Sequence, residues 1–296
     1  MNATPIPRRP DFDLKPLAGG LGAEISGFDF GAPIANERFA AVRAAFLEWQ
    51  VLVFSGEEVP PRGQVEFARH FGEVQVHVMN QYHADGYPEL YRLSNLDAEG
   101  RPSGRHPDRG TLEWHTDGSW QARTGLATMM YAVEIPARGG ETHFCDMYSA
   151  LDRLAPESRE RIEDLRAIHS LDFSRTRRHG EEPMTEEQRR QVPPVIHPII
   201  RTHPDTERDC LFLGDHAETI EGMDYAAGRR LVDELNEAAA SLGTVYRHHW
   251  RPRQLVVWDN RCLMHRATPY DTANERRVIR RCTVIGDAPF RHRTSS

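Results

Sequence analysis

One triplet in this sequence has the residue types and the spacing of a metal site. His115 and Asp117 are separated by a single residue within Glu-Trp-His-Thr-Asp-Gly. On a β-strand these two side chains would share one face, because side chains alternate with a period of two. With one more imidazole, they would form the two-histidine, one-carboxylate set that holds Fe(II) and leaves coordination positions open. The same three ligands could instead hold Zn²⁺ and activate water for hydrolysis.

Three other His-x-Asp triplets compete with this one, and they begin at His83, His106 and His203. His106 and His203 are each followed by proline, which cannot donate a hydrogen bond to a strand ladder. Both lie in turn-like runs that we predict to be solvated loops. His83 stands in His-Ala-Asp-Gly-Tyr-Pro, which also predicts a turn. The remaining triplet is the one with a tryptophan on each side, and we take it as the candidate site.

A second segment supplies the missing imidazole. The apolar run 255–258 predicts a buried strand, which leads through a turn to His265. Beyond it, the strand-like period of two places Arg277, Ile279 and Arg281 on one face. Two arginines on an inward face need anionic partners, because an unpaired buried charge is very costly. A carboxylate can supply one by accepting two parallel hydrogen bonds. For Arg281 that carboxylate could belong to a ligand or to the protein itself.

The order His-x-Asp, a long gap, histidine and then arginine resembles the pattern of the iron(II)/2-oxoglutarate-dependent dioxygenases of the taurine and 2,4-dichlorophenoxyacetate dioxygenase family. The resemblance covers nearly the whole chain, residues 21–287. The run Gly-Gly-Glu-Thr that ends at Thr142 matches the family's Gly-Gly-Asp-Thr in register.

This resemblance implies a role for each residue of the pattern. Fe(II) would be bound by His115, Asp117 and His265. The cosubstrate 2-oxoglutarate would chelate the iron, and its far carboxylate would be held by Arg277 and Thr142. O2 would convert 2-oxoglutarate into succinate and CO2 while the primary substrate is hydroxylated. Because related halogenases lack the carboxylate ligand, Asp117 favours hydroxylation over halogenation.

The resemblance also implies substrate contacts. Arg281 would approach an anionic group of the substrate. His77 matches the substrate-binding histidine of the taurine enzyme, whereas Asn80, Thr111 and Ala217 replace that enzyme's tyrosine, asparagine and phenylalanine. These replacements disfavour taurine itself.

Several stretches resemble the phenoxyacetate branch of the family more closely, namely residues 144–147, 212–217 and 246–250. We therefore expect a small to medium organic acid, either an aryloxyalkanoate or a sulfonate or sulfate. Hydroxylation of an amino-acid derivative is an alternative. A zinc-dependent hydrolase with the same triad, or a non-catalytic binding protein on this fold, would be different classes of function.

Composition excludes other kinds of site and partner. The net charge is −7 with no basic tract, which argues against nucleic acid. Lys15 is the only lysine, so the chain has no P-loop and no plausible Schiff-base lysine. No apolar run approaches the ~20 residues of a membrane span, and no signal peptide is evident. We expect a cytoplasmic protein that binds small anionic molecules. Its cysteines should be reduced and buried. The resemblance also implies a homo-oligomer.

Apolar periodicity predicts short strands near the candidate ligands, with helices between them. Helices are predicted at 36–49, 62–70 and 224–242, and strands at 51–54, 126–133, 255–258 and 278–285. Because strands and helices do not alternate regularly, this order favours a β-sandwich or barrel over a doubly wound sheet. The resemblance implies a mixed α+β fold with a double-stranded β-helix (jelly-roll, cupin-like) core and flanking helices.

We expect residues 1–296 to form a single dioxygenase domain. Residues 1–20 are predicted to be an irregular lead-in, and residues 95–110 a long loop. The strongly charged residues 172–192 predict either an exposed, mobile loop or lid, or a plain solvated linker.

Overall fold

The structure, a computed structural model, describes residues 12–76, 83–178, 180 and 182–292. Its helices are α1 (Asn36–Trp49), α2 (Pro61–Phe71), α3 (Met147–Asp152), α4 (Pro156–Ile162), α5 (Leu171–Phe173), α6 (Glu186–Gln191) and α7 (Tyr225–Leu242), with a 3₁₀ turn at Arg109–Leu112 and a π-helical turn at Ser174–Arg178. Its strands are β1 (Asp13–Pro16), β2 (Ala23–Ser26), β3 (Val51–Ser55), β4 (His83–Ala84), β5 (Tyr87–Ser94), β6 (Gly125–Glu134), β7 (Thr142–Asp146), β8 (Arg166–His169), β9 (Val195–Pro198), β10 (Ile200–Thr202), β11 (Asp209–Leu211), β12 (Ala217–Ile220), β13 (Val245–His248), β14 (Leu255–Asp259), β15 (Leu263–Ala267) and β16 (Val278–Ile285).

The largest sheet has the strand order β1-β2-β3-β14-β6-β16-β5-β4. Only the β2–β3 pair in it is parallel. Strand β14 is buried at every position, as expected for a central strand rich in β-branched and aromatic residues. Strand β16 pairs with β6 so that Arg281 lies opposite Met130. Opposed residues project from the same face of a sheet, so this arginine points to the face that carries Met130.

The two faces of this sheet bury different apolar clusters. Met130 and Trp258 belong to an inner cluster, whereas their chain neighbours Met129 and Val257 belong to an outer one. This division follows the alternation of side chains along a strand. Helices α1 and α2 cover the outer face, where Phe67 and other phenylalanines pack edge to face.

Against the inner face lies a second sheet of order β13-β7-β15. Its Phe144 ring is 5.3 Å from that of Trp258, and both belong to the inner cluster. The remaining strands form a sheet of order β12-β8-β9 and a β10-β11 ribbon. The predicted ligands lie between β6 and β16 on one side and β7 and β15 on the other. No helix in the described residues is both long and apolar enough to cross a membrane.

The predicted helices are confirmed, and α1 spans the residues expected. Helix α7 begins after Asp224, whose carboxylate accepts a hydrogen bond from the backbone of Ala227 at 3.0 Å. The irregular lead-in is wrong for Asp13–Pro16, which pairs with β2 although its exposed side chains carry no apolar pattern. The charged segment 172–192 contains α6, which begins with a capping box formed by Thr185 and its N3 glutamine.

Candidate active site

Two segments distant in sequence bring the predicted metal ligands together. His115 and His265 form an isolated antiparallel bridge, in which each backbone N–H donates to the other's carbonyl, at 3.0 and 2.8 Å. Nε2 of His115 lies 3.7 Å from Oδ1 of Asp117, and Nε2 of His265 lies 3.6 Å from its Oδ2. All three side chains are buried, and their ligand atoms lie within 4.8 Å of one another. One metal ion could bridge them, since ligand atoms 2.0–2.2 Å from an ion lie about 3–4 Å apart.

The local backbone structure that brings His115 and Asp117 together differs from the predicted strand. His115 forms only an isolated bridge, and residues 117–120 form a turn, so the pair does not lie on a regular strand. The backbone N–H of Gly125 donates to the carbonyl of Asp117 at 3.2 Å. Gly214, with φ +116°, packs against His115, where an added Cβ would lie 3.1 Å from Cα. Tertiary packing therefore positions these ligands, not strand periodicity.

The protonation of the two imidazoles suits metal binding. Nδ1 of His115 lies 2.8 Å from the carbonyl oxygen of Glu113. A carbonyl can only accept, so Nδ1 donates, and Nε2 is the ring nitrogen that faces Asp117 and would bind a metal ion. Burial lowers the pKa of His265 well below its ordinary value, and the positive charge of nearby groups, including Arg281, lowers it further against the opposing effect of Asp117. His265 is therefore neutral, the form that binds a metal ion.

Both oxygens of Asp117 have partners within the protein. The hydroxyl of Thr128 donates to Oδ2 at 2.6 Å, and Nη2 of Arg281 lies 2.7 Å from Oδ1. Thr128 in turn accepts from Nδ2 of Asn260 at 2.9 Å, and Oδ1 of Asn260 accepts from the indole of Trp258 at 2.9 Å. Since an indole N–H can only donate, this chain fixes the Thr128 proton towards Asp117. Arg281 thus makes the internal pairing that the sequence left open.

The same contacts keep Asp117 ionised. Burial raises the pKa of this carboxyl and is the strongest single influence on it. The positive charge of Arg281 is the largest influence that lowers the pKa, the Thr128 hydrogen bond adds to it, and the pKa lies well below its ordinary value. The site consequently offers one anionic oxygen ligand beside two imidazole nitrogens.

Arg277 immediately precedes β16, and only 4% of its surface is exposed. Its backbone N–H donates at 2.8 Å to Asn95, which also donates to the carbonyls of Thr272 and Glu275. Within the described ranges, no carboxylate acts on the guanidinium, and its Nε has no hydrogen-bond partner. Burial lowers the pKa of Arg277 to about 10, with a small opposing effect from Tyr270.

Thr142 is the first residue of β7 and lines the same narrow cavity as Arg277 and the two histidines. Its Oγ1 accepts from Nε1 of Trp250 at 3.0 Å, which leaves the hydroxyl proton free to bond an anion. Gly140 has φ +66°, and an added Cβ there would lie 3.5 Å from Cδ of Arg277 and 2.8 Å from Cγ of Pro136. The glycine lets the turn before Thr142 pack over the arginine stem.

The order of these residues and their placement agree with one known family. Residues 13–283 match the family model described as taurine catabolism dioxygenase TauD, TfdA family. This chain belongs to that family. The alpha-ketoglutarate-dependent 2,4-dichlorophenoxyacetate dioxygenase of Cupriavidus pinatubonensis (strain JMP 134 / LMG 1197) is 36% identical over 281 residues, 92% of this chain and 97% of that protein. The alpha-ketoglutarate-dependent sulfate ester dioxygenase of Pseudomonas putida is 27% identical over 290 residues, 96% of this chain and 92% of that protein.

Solved structures of this kind are similar along the whole chain. The crystal structure of AAD-2 in complex with Mn(II) and N-oxalylglycine has a TM-score of 0.83 and 33% sequence identity. The alignment covers 95% of this chain and 99% of that one. The family's dioxygenase fold is therefore shared by this chain.

The structure distinguishes among the other predicted substrate residues of this TauD/TfdA-family chain. Thr111 lines the cavity, and its hydroxyl donates to the carbonyl of Asp108 at 2.7 Å. Ala217 is fully buried in β12 and is not among the residues that line the cavity. His77 and Asn80 lie outside the described residues. The substrate contacts of these residues stay predictions.

His203 corrects the expectation of a solvated loop, since it is 1% exposed. Its Nε2 lies 3.1 Å from Asp259, whose carboxylate also accepts from Nε and Nη2 of Arg261 at 2.9 and 2.7 Å. With Cys262, His203 and Asp259 form a second group spaced for a metal ion. Because Arg261 neutralises the carboxylate and bonds both of its oxygens, this group is a structural ion pair. The His203 side chain is buried although Pro204 beside it is exposed, and turn composition cannot indicate this.

His106 was also expected in a solvated loop, and the structure places it on the wall of the cavity. Sequence reasoning missed Thr128 and Asn260 as well. Thr128 could have been identified from the sequence, because a hydroxyl in the middle of a buried apolar strand needs a hydrogen-bond partner. Asn260 lies in the turn after β14, where asparagine is common, and nothing in the sequence around it indicates a role in the site.

Proposed function

We propose that this protein is an Fe(II)- and 2-oxoglutarate-dependent oxygenase that hydroxylates a small to medium organic acid and releases succinate and CO2. One juxtaposition carries the proposal. A buried ionised carboxylate and two imidazoles spaced for one ion lie beside a buried guanidinium that pairs with no carboxylate among the described residues. Relatives named as alpha-ketoglutarate-dependent dioxygenases support the same cosubstrate.

The residues present fit an iron ion. His115, Asp117 and His265 supply the two nitrogens and one oxygen that suit Fe(II) in oxygenases. No fourth histidine, cysteine or carboxylate joins them among the residues described, so a bound ion would keep positions for other ligands. The Mn(II) in the similar AAD-2 structure supports a divalent ion in a site of this family.

The residues also fit 2-oxoglutarate. Arg277 is a buried cation that no carboxylate of the described ranges neutralises, and a ligand carboxylate would accept two of its N–H groups. Thr142 offers a hydroxyl proton in the same cavity because Trp250 already occupies its oxygen. N-oxalylglycine, bound in the AAD-2 structure, carries an oxalyl group and a distal carboxylate as 2-oxoglutarate does.

An Fe(II) ion held by His115, Asp117 and His265 would supply the redox chemistry that activates O2. In the overall reaction 2-oxoglutarate and the substrate would each give up two electrons, and one oxygen atom would enter succinate and the other the substrate. The chain's own residues bind and orient the reactants. Thr128 fixes the rotation of the Asp117 carboxylate, and Arg281 balances its charge. Arg277 and Thr142 hold the cosubstrate at the far end of the cavity.

For the primary substrate, the cavity supports an organic acid. Arg281 is partly exposed and approaches the cavity from β16, where it is placed to meet an anionic group. Leu93 and Met130 line the same cavity and provide an apolar wall for the rest of the molecule. Relatives named for phenoxypropionate and for sulfate esters support aryloxyalkanoates first and sulfate esters second.

We also propose that the eight-stranded sheet and the β13-β7-β15 sheet are the two walls of a double-stranded β-helix core within a single dioxygenase domain. The shared inner cluster and the triad between the two sheets support this arrangement. Helices α1 and α2 then flank the core on its outer face.

Succinate release tests the function. The protein is incubated with Fe(II), 2-oxoglutarate and air against a panel of aryloxyalkanoates, sulfate esters, sulfonates and N-acyl amino acids. We expect succinate in a one-to-one ratio with the oxidised substrate for at least one aryloxyalkanoate. Turnover that continues without 2-oxoglutarate or O2 would indicate the zinc hydrolase instead.

Two variants sharpen this test. Asp117→Ala should abolish succinate release, whereas Asp97→Ala, which removes a partly exposed carboxylate that does not line the cavity, should not change it. Full activity of Asp117→Ala would contradict the metal site.

A further inference from the structure

His106 lies on the loop before the 3₁₀ turn and lines the cavity together with Thr142 and Arg277. Nδ1 of its ring accepts from the backbone N–H of Asp108 at 3.2 Å. A backbone N–H can only donate, so Nδ1 carries no proton and the neutral ring carries its proton on Nε2. Burial lowers the pKa of His106, and the charge of Arg277 lowers it further, so the ring is neutral at pH 7.

Nε2 of His106 is buried and has no hydrogen-bond partner within the described part of the chain. A buried donor without an acceptor is costly, so this N–H needs an acceptor beyond those that the described residues provide. The ring also has a defined orientation, since Nδ1 is held by Asp108 and the Tyr270 ring packs against it at 5.7 Å.

Two neighbouring groups share this property. Nε of Arg277 and the hydroxyl of Tyr270 are likewise buried without partners in the residues that the structure covers. Tyr270 pairs through its backbone with Gly139, in the turn that leads to Thr142. His106 and Arg277 line the cavity, and Tyr270 packs behind the His106 ring without lining it. A carboxylate, which only accepts, is the group that would satisfy the donors that reach the cavity.

We infer that His106 donates a hydrogen bond from Nε2 to the far carboxylate of 2-oxoglutarate, beside Arg277 and Thr142. The inference rests on the proposed function and adds a cosubstrate-binding residue to it. The distal carboxylate is the acceptor rather than the primary substrate, because the Tyr270 ring beside His106 pairs through its backbone with Gly139, and the next residue, Gly140, packs over the Arg277 stem. As a neutral donor it adds directional selectivity for a carboxylate without adding charge.

The test measures binding without turnover. Mn(II)-loaded protein is titrated calorimetrically with 2-oxoglutarate and, separately, with 2-oxovalerate, which has the same chain length and the same metal-chelating end but no distal carboxylate. His106→Leu removes the donor, and His106→Gln keeps an N–H near the position of Nε2. Arg105→Leu, an exposed residue of the same loop, is the control for disturbance of the loop.

A lost hydrogen bond to a charged group should weaken 2-oxoglutarate binding by His106→Leu about 10- to 100-fold. Binding of 2-oxovalerate should stay unchanged, His106→Gln should recover most of the affinity, and Arg105→Leu should bind as the wild type does. Unchanged 2-oxoglutarate affinity in His106→Leu would overturn the inference, and so would an equal loss for both keto acids. If wild-type Mn(II)-loaded protein binds neither acid, the proposed function itself fails and the inference falls with it.

Discussion

Replacement of Arg277 by methionine should stabilise the ligand-free protein while it removes affinity for 2-oxoglutarate. Methionine keeps the unbranched apolar stem and removes the guanidinium. Burial lowers the pKa of Arg277 from 12.5 to about 10. At 1.36 kcal/mol for each pKa unit, the charged Arg277 side chain lowers the free energy of unfolding by about 3 kcal/mol.

The sign of the effect follows from this shift. The folded-state pKa is below the unfolded value, so below pH 10 the charged arginine costs the folded state free energy that the variant does not bear. We expect Arg277→Met to raise the free energy of unfolding by about 1–3 kcal/mol. The upper value corresponds to complete removal of the cost of burying the arginine charge. Two charge-assisted hydrogen bonds to a carboxylate are each worth about 1.5–3 kcal/mol, so 2-oxoglutarate affinity should fall at least about 100-fold.

Urea denaturation measures the first effect, and calorimetric titration of Mn(II)-loaded protein with 2-oxoglutarate measures the second. The neighbouring Arg276 is the matched control, because its guanidinium pairs with Glu134 at the protein surface. Arg276→Met should leave 2-oxoglutarate affinity unchanged. A destabilised Arg277→Met that still binds 2-oxoglutarate normally would show that Arg277 is a structural cation and would refute the reasoning.

Three further predictions concern the neighbours of the site and the stability of the fold. Thr128→Val should weaken Mn(II) binding roughly 10- to 100-fold in a metal titration, because it frees the Asp117 carboxylate, whereas Thr219→Val, at a buried hydroxyl that bonds the carbonyl of Tyr225, should not; an unchanged affinity in Thr128→Val would remove Thr128 from the metal site. Arg261→Met should lower the free energy of unfolding in urea by about 3–5 kcal/mol, because it leaves a buried carboxylate unpaired, and a loss below 1 kcal/mol would contradict the ion pair. Burial, with help from nearby positive charge, lowers the pKa of His248 from 6.5 to about 3, so its contribution to stability is lost as pH falls through that window. Between pH 7 and pH 5 the wild type should therefore lose about 2 kcal/mol more unfolding free energy than His248→Asn, and identical losses would show that His248 titrates normally.

Much of the fold could be predicted because apolar periodicity reports burial directly. The segment around β16 is an example. The alternation predicts Arg277, Ile279 and Arg281 on one face, and the structure confirms it, because both arginines line the cavity and Ile279 belongs to the inner cluster. Strand β1 could not be predicted in the same way. Its side chains are exposed, and it is a strand because its backbone pairs with β2.

Within the site, the sequence indicated residue identities but not the contacts between them. His115, Asp117 and His265 were identifiable because few residue types bind iron and the family fixes their order. The contacts of Asp117 with Thr128 and of His106 with the cavity depend on how distant segments pack. A turn-like composition around His106 predicts a loop correctly, but it does not indicate which side of that loop faces the protein.

The central claim is that this site uses O2 and 2-oxoglutarate together, and isotope labelling tests it most directly. The protein, loaded with Fe(II) and supplied with 2-oxoglutarate and an active aryloxyalkanoate, is allowed to turn over under ¹⁸O₂, and the succinate is analysed by mass spectrometry. The account predicts succinate with one ¹⁸O atom per molecule. Unlabelled succinate, or product formed in the absence of O2 with oxygen taken from water, would contradict it.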